Sequence, residues 1–224
     1  MVSSTPNEQD NTIASSDAAY DAFKLQESRS ILETILAVDT IQDEIKCKAL
    51  LKLAHQDWKY YKDYALAKGR LLQADSLGRE KYETWMLFSR IERESQHYND
   101  ALEAALKAKA LAQSKNEANK ADTEYANGVY TASIDQLNRD QTLDTAILTQ
   151  TTKLLSEVLE TDAGLPRSSK LLLGIALLNN DGENVMKAWQ SYFQIQDSQV
   201  NAYLKTPANK LNHISKNWNG KLLS

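Results

Sequence analysis

Apolar residues recur at intervals of three and four positions from Ala18 onward, and short polar turns separate the apolar stretches. This spacing places apolar side chains on one face of an α-helix, whereas the alternation typical of a β-strand never persists. The pattern therefore predicts an all-α protein built from antiparallel helices. Ten helices are expected, at 17–37, 40–57, 60–76, 80–95, 98–114, 117–137, 142–160, 166–179, 183–195 and 207–218.

Turn-forming residues mark several of these boundaries. Gly164 follows the helix at 142–160 and suits a left-handed helix end, and Pro166 can open the next helix because the first helical N–H has no partner there. Thr206 and Pro207 form an N-cap and first helical residue in the same way. These signals bracket the C-terminal helices.

An internal repeat of 34 residues is the most informative feature of the chain. The matched pairs are Tyr64 with Tyr98, Ala67 with Ala101, Leu71 with Ala105, Ala74 with Ala108, Leu51 with Trp85 and Ala54 with Phe88. Small alanines at a fixed position let the second helix of each pair approach the first closely. A fixed period of this length predicts a helical solenoid.

The repeated segment resembles the tetratricopeptide repeat (TPR) family, whose period is also 34 residues. Trp85, Phe88, Tyr98 and Ala101 fall on the pattern of that family. The resemblance implies an α-solenoid of antiparallel helix pairs wound into a right-handed superhelix. The sequence departs from the family pattern, with His55 and Ser89 at the usual packing glycine and Arg79 and Gln113 at the usual closing proline. A non-repetitive helical bundle is the alternative.

The domain boundaries follow from the repeats. Residues 1–16 are polar and are expected to form a flexible tether, and 17–218 are expected to form one TPR-like domain. Its clearest repeats are 48–81 and 82–115, a degenerate repeat covers 166–198, and the helix at 207–218 is expected to cap the end.

The resemblance implies a non-catalytic scaffold that binds a peptide or partner protein on a concave face lined by the first helices. The residues expected there are Lys52, Gln56, Lys59, Met86, Arg90 and Arg93, together with Ala49 and Glu83. Four of them are basic, which favours an acidic partner through charge-assisted hydrogen bonds. The alternative is that these cations only solvate an exposed helix face.

Charge and composition narrow the function further. A net charge of −4 and a pI near 5.5 give no general attraction for nucleic acid. No apolar run is long enough for membrane insertion, so a soluble protein is expected, either cytoplasmic or exported or tethered through a removed N-terminal leader. The single Cys47 lies on an apolar helix face and is expected in the core. A monomer or a weak dimer is expected.

No cluster of residues in the sequence indicates catalysis, a cofactor or a metal. The three histidines have no His or Cys partner at ligand spacing, and no phosphate-binding glycine loop or nucleophile motif occurs. Two other functional hypotheses are a helical accessory domain of a larger enzyme, signalling or surface protein, and a helical-bundle enzyme with an enclosed polar pocket.

Overall fold

A computed structural model describes residues 6–77, 81–161 and 166–190, with the side chains of 6–11 and 166 excepted. The chain forms two compact units, 1–143 and 144–224, rather than the single domain expected over 17–218. The described residues contain helices and turns and no strand, which confirms the all-α prediction.

Both units are built from consecutive helices. Unit 1 contains α1 (Pro6–Asp21), α2 (Leu25–Leu36), α3 (Asp43–Gln56), α4 (Tyr64–Ser76), α5 (Tyr82–Glu94), α6 (Tyr98–Leu111) and α7 (Lys115–Asn138), and a π-helical turn at Asp57–Tyr61 extends α3. Unit 2 contains α8 (Thr145–Thr161), α9 (Pro166–Leu178) and a further helical segment over 182–190. Consecutive helices pack as antiparallel pairs, α1 with α2, α3 with α4, α5 with α6 and α8 with α9.

Polar side chains satisfy the free amides at several helix starts. The Asp63 carboxylate accepts a hydrogen bond of 2.9 Å from the Leu66 amide at the beginning of α4. Ser114 does the same for the Glu117 amide at the beginning of α7. Each cap replaces water that the first turn of the helix would otherwise need.

A left-handed residue follows the first helix of each pair that the structure describes within unit 1. Phe23, Lys62 and Gln96 all have φ from 55° to 64°, and Lys62 and Gln96 are 34 positions apart. The residue after Gln96, His97, donates its backbone N–H to Glu92 O at 2.9 Å, which is the hydrogen bond of a Schellman helix end. After Lys62, the Asp63 N–H donates in the same way to Asp57 O. This acceptor is one residue further from its donor than Glu92 is from His97, because the π-helical turn adds a residue.

Small buried residues bring the second helices close to the first. Ala67 and Ala101 occupy the same repeat position on α4 and α6, and at most 1 % of either residue is exposed. Ala67 packs in a cluster with Leu71, Leu87 and Ile91. Ser89, at the position of the family's packing glycine, is buried, and its hydroxyl donates to Ala101 O at 2.8 Å. The serine is tolerated because this bond satisfies its hydroxyl.

Buried carboxylates join neighbouring helices of unit 1. Asp57 is 1 % exposed and forms ion pairs with Arg29 of α2 at 2.5 Å and with Arg70 of α4 at 2.8 Å. Glu124 of α7 is equally buried and forms ion pairs with Arg90 and Arg93 of α5. Each buried anion is therefore compensated by two cations, as burial in a low-dielectric interior requires.

The N-terminal prediction is wrong in two respects. The expected tether over 1–16 is replaced from Pro6 onward by α1, which buries Ile13 and Ser16. The expected helix at 17–37 is two helices, because the chain turns back at the left-handed Phe23. Phe23 carried no turn signal, since glycine or asparagine is the usual residue in that conformation.

The predicted repeats are only partly visible in the helix boundaries. The second helices of the repeats at 48–81 and 82–115 begin 34 residues apart, at Tyr64 and Tyr98, but α3 begins at Asp43, before residue 48. In the repeat at 166–198 the structure describes α9 and the helical segment 182–190. The capping helix at 207–218 lies outside the described residues.

The core position of Ala101 generates a stability prediction. We expect Ala101→Leu to lower the free energy of unfolding by about 1–3 kcal/mol, because the larger side chain must force α5 and α6 apart. Urea unfolding followed by circular dichroism measures this change. Ala110→Leu on the exposed side of the same helix is the control and is expected to change stability by about 0.5 kcal/mol or less. Equal effects of the two substitutions would contradict this packing role.

Candidate functional site

A groove in unit 1 is the candidate functional site. It has a volume of about 520 Å³ and is lined by residues of α1, α3, α5 and α7, with Ser28 of α2. Apart from Ser28, its walls therefore come from the first helices of three successive pairs and from α7. In helical-repeat proteins the surface lined by equivalent helices is the usual binding surface.

The 34-residue repeat continues across the floor of this groove. Lys52, Met86 and Lys120 stand at intervals of 34 residues on α3, α5 and α7, and all three line the groove. Gln56 and Arg90 form a second such row, which Glu124 extends. The register therefore includes α7, although Asn119 and Asp122 stand there at the positions of Trp85 and Phe88.

Four of the six residues predicted to bind a partner lie together in the groove. They are Lys52, Gln56, Met86 and Arg90. Lys59 and Arg93 do not line it: the Lys59 ammonium lies 5.2 Å from the centre of the Tyr60 ring, and Arg93 is paired with buried Glu124 at 3.2 Å. The additional residue Ala49 is buried in the core rather than exposed on an inner face.

The groove combines an apolar lining with an excess of cations. Leu51, Met86 and Leu87 contribute apolar surface, and Tyr20 and Tyr82 contribute aromatic rings. Its charged residues are four cations and two carboxylates, namely Lys48, Lys52, Arg90, Lys120, Asp17 and Glu83. This local positive charge contrasts with the net negative charge of the chain.

Two ion pairs hold the central cations. The Lys52 ammonium lies 2.5 Å from Asp17 Oδ1, so that the pair connects α1 with α3 at the groove. Arg90 Nε lies 3.5 Å from Glu124 Oε2. Buried Glu124 thus orients Arg90 from α7, whereas the Lys52–Asp17 pair is about half exposed and accessible to competing groups.

His55 and two tyrosines form a hydrogen-bonded cluster that extends from the groove. Tyr20 Oη lies 2.9 Å from Tyr60 Oη and 3.4 Å from His55 Nδ1. Burial lowers the pKa of His55 below its usual 6.5, and the positive charges of Lys59 and Arg90 add to the effect. His55 is therefore neutral at neutral pH. Burial also raises the pKa of Tyr20, and its hydrogen bond with Tyr60 raises it further.

The sequence prediction missed several residues of the groove. Asp17 and Tyr20 belong to α1, whose separate existence was not predicted. Tyr82 donates its hydroxyl to Glu117 O at 3.1 Å, and burial raises its pKa to about 12. Lys120 could have been found by continuing the interval of 34 from Lys52 through Met86.

One group of possible metal ligands occurs among the described residues, where the sequence indicated none. Glu92, His97 and Asp100 place ligand atoms within 4.8 Å of one another at the beginning of α6. His97 Nδ1 lies 2.8 Å from one oxygen of buried Glu92, and the Lys68 ammonium is paired with the other. Both oxygens of the buried carboxylate therefore have a nitrogen partner on a more exposed side chain.

The lowered pKa of His55 generates a prediction of pH dependence. The unfolded chain binds a proton at this residue near pH 6.5, whereas the folded chain binds it only at lower pH. His55 therefore makes stability fall as the pH decreases below about 6.5. We expect His55→Gln to reduce the loss of stability between about pH 7.5 and about pH 5.5, measured by urea unfolding. The same loss in both proteins would contradict the buried, neutral state of His55.

Comparisons with known proteins agree with the helical-repeat architecture. No protein-family model matches the chain, and no curated protein matches its sequence significantly. A crystal structure of YrrB, described as a TPR protein with an unusual peptide-binding site, superimposes with a TM-score of 0.60 at 13% identity and covers 92% of this chain and 90% of that chain. A mutant of MamA covers 84% of this chain and 97% of that chain at 9% identity, with a TM-score of 0.48.

Within the described residues no helix has the length and apolar character that a membrane span requires. The helix pairs, the 34-residue register of α3 and α5, and the superposition on YrrB agree on one architecture. The chain has a TPR-like helical-repeat fold.

Proposed function

We propose that unit 1 is a non-catalytic protein-interaction scaffold, and that its groove binds a peptide segment of a partner protein. The observation that carries this proposal is the repetition of lining positions on α3, α5 and α7, which gives an open apolar surface bordered by cations. A peptide can bury apolar side chains there and place polar ones at the border. The likeness to YrrB, which is described as having a peptide-binding site, supports the same use of the fold.

The charges of the groove favour a segment that carries acidic side chains beside an apolar one. Lys52 and Lys120 occupy equivalent positions on either side of Met86 along the repeat. An apolar side chain on Met86 would thus have a lysine on each neighbouring repeat. Such an arrangement attracts carboxylates and disfavours basic segments.

Charge reversal tests this proposal. Peptides of about 12 residues, selected from a random phage-displayed library on the wild-type chain, are expected to contain Asp or Glu beside Leu, Met or an aromatic residue. Lys52→Glu/Lys120→Glu is expected to raise their Kd at least about tenfold, because two attractive contacts become repulsive. Fluorescence anisotropy of a labelled peptide measures the change.

A matched control separates the groove from general electrostatics. Lys153→Glu/Lys170→Glu changes the net charge equally at exposed positions of α8 and α9 and is expected to leave the Kd unchanged. Circular dichroism verifies that both variants are folded. Selected peptides without acidic residues, or equal weakening by the two double substitutions, would refute acidic-peptide binding in the groove.

The Lys52–Asp17 ion pair generates a prediction of opposite sign. Asp17 holds the Lys52 ammonium at 2.5 Å and competes with a carboxylate of the peptide. Asp17→Asn is therefore expected to tighten binding of an acidic peptide about threefold or more, since removing the competitor frees the cation. The gain should disappear when Lys52 is replaced by Met in the same background. A gain that persists without Lys52, or no gain in the wild-type background, would show that the peptide does not use this lysine.

A further inference from the structure

A short chain of buried hydroxyl and amide groups lies at the α1–α3 end of the groove. Ser16, Ser28 and Gln56 line the groove and are each at most 1 % exposed. Gln56 Nε2 donates to Ser28 Oγ at 2.9 Å, and Ser28 Oγ lies 2.9 Å from Ser16 Oγ. Ser16 Oγ lies 3.3 Å from the Ser28 carbonyl oxygen, to which it donates.

The hydrogen bond to Ser28 identifies the atom of the Gln56 amide that is left over. Gln56 Nε2 donates to Ser28 Oγ, which shares a second hydrogen bond with Ser16 Oγ. Either hydroxyl can supply the hydrogen of that second bond, since each serine has one hydrogen to donate. With Nε2 facing Ser28, the carbonyl oxygen Oε1 is turned away from it.

Oε1 is left without a hydrogen bond among the described residues, although it is buried. A buried carbonyl oxygen without a donor is unfavourable, and native proteins rarely keep one unless water or a ligand completes it. Rotating the amide would only exchange the unpaired acceptor for an unpaired N–H₂ donor at the same place. With Nε2 bound to Ser28, the network lacks one donor for Oε1.

The surrounding charges restrict what that donor is. Lys52 lies one helical turn before Gln56 on α3, and Arg90 occupies the equivalent position on α5. Their positive charges disfavour an ammonium or guanidinium group in the ligand. A neutral N–H is compatible with both, and a bound peptide offers one at nearly every residue of its main chain.

We propose that Gln56 Oε1 accepts a hydrogen bond from a backbone N–H of the bound peptide, which makes Gln56 a specificity-determining residue of the groove. This inference rests on the proposed function, since it requires a peptide in the groove. It also specifies where the peptide main chain binds. The main chain is anchored at the buried serine–glutamine chain, and the acidic side chains of the peptide extend toward the lysines.

An N-methyl scan of a selected peptide tests the inference. Each backbone N–H of the peptide is replaced in turn by N–CH₃, and the Kd is measured on the wild type and on Gln56→Met, which has a similar size without the carbonyl acceptor. One N-methyl position is expected to weaken binding to the wild type about tenfold, because it removes the donor from a buried acceptor. The same methyl group is expected to have little additional effect on Gln56→Met.

Gln56→Glu is the second variant and keeps an acceptor at the same place. It is expected to retain the loss at the same N-methyl position, and unfolding curves of both variants establish that they are folded. If every N-methyl position has the same effect on the wild type and on Gln56→Met, the assignment of Gln56 is wrong and a water molecule satisfies Oε1. That result leaves the proposed function intact as long as Lys52→Glu/Lys120→Glu still weakens binding. A peptide that ignores this charge reversal refutes both.

Discussion

The structure of unit 1 depends on compensating carboxylates that are buried between helix pairs. Glu124 of α7 forms ion pairs with Arg90 and Arg93 of α5, and Asp57 forms ion pairs with arginines of α2 and α4. Removal of one member of such a pair leaves an uncompensated buried charge, which is strongly destabilising. Alternative packings of the helices are therefore disfavoured whenever they separate the carboxylate from its two cations. In this way the buried charges specify the register of neighbouring pairs, while the alanines at the helix contacts set how closely the helices approach.

The same constraint connects the core to the groove. Arg90 is one of the cations that line the groove, and its guanidinium is held by Glu124 from the interior side. A cation that is already oriented loses less conformational entropy when it meets a ligand than a freely rotating one. Lys52 has a different status, because its partner Asp17 is about half exposed, whereas Glu124 is buried. The groove thus contains one cation positioned by the core and one paired with a half-exposed carboxylate, and a substitution of Arg90 would remove one of the two cations that compensate buried Glu124.

The sequence alone predicted the parts of the fold that the 34-residue period encodes. Ala67 and Ala101 are visible as a repeat because close helix packing admits only small residues there, and their burial agrees with that reason. The turn at Phe23 was not predictable in the same way, because a phenylalanine adopts the left-handed conformation there and no glycine or asparagine marks the turn in the sequence. Missing that turn also concealed Asp17, and with it the competitor of Lys52. Lys120 was overlooked because α7 carries Asn119 and Asp122 at the positions of Trp85 and Phe88, although its spacing from Met86 is regular.

Equivalent positions of the 34-residue repeat carry side chains of different chemistry. One position of the first helices carries Gln56, Arg90 and Glu124 in succession. The first presents a buried carbonyl acceptor, the second presents a cation, and the third is an anion used inside the protein. The groove therefore presents different chemistry on α3 and α5, although these two helices are equivalent in the repeat. Each of them contributes a cation, Lys52 on α3 and Arg90 on α5, but the two cations stand in different rows of the repeat. Beside this cation, α3 carries the Gln56 amide and α5 carries the Met86 thioether, so the repeats differ in the polarity of the neighbouring group rather than in the sign of the charge.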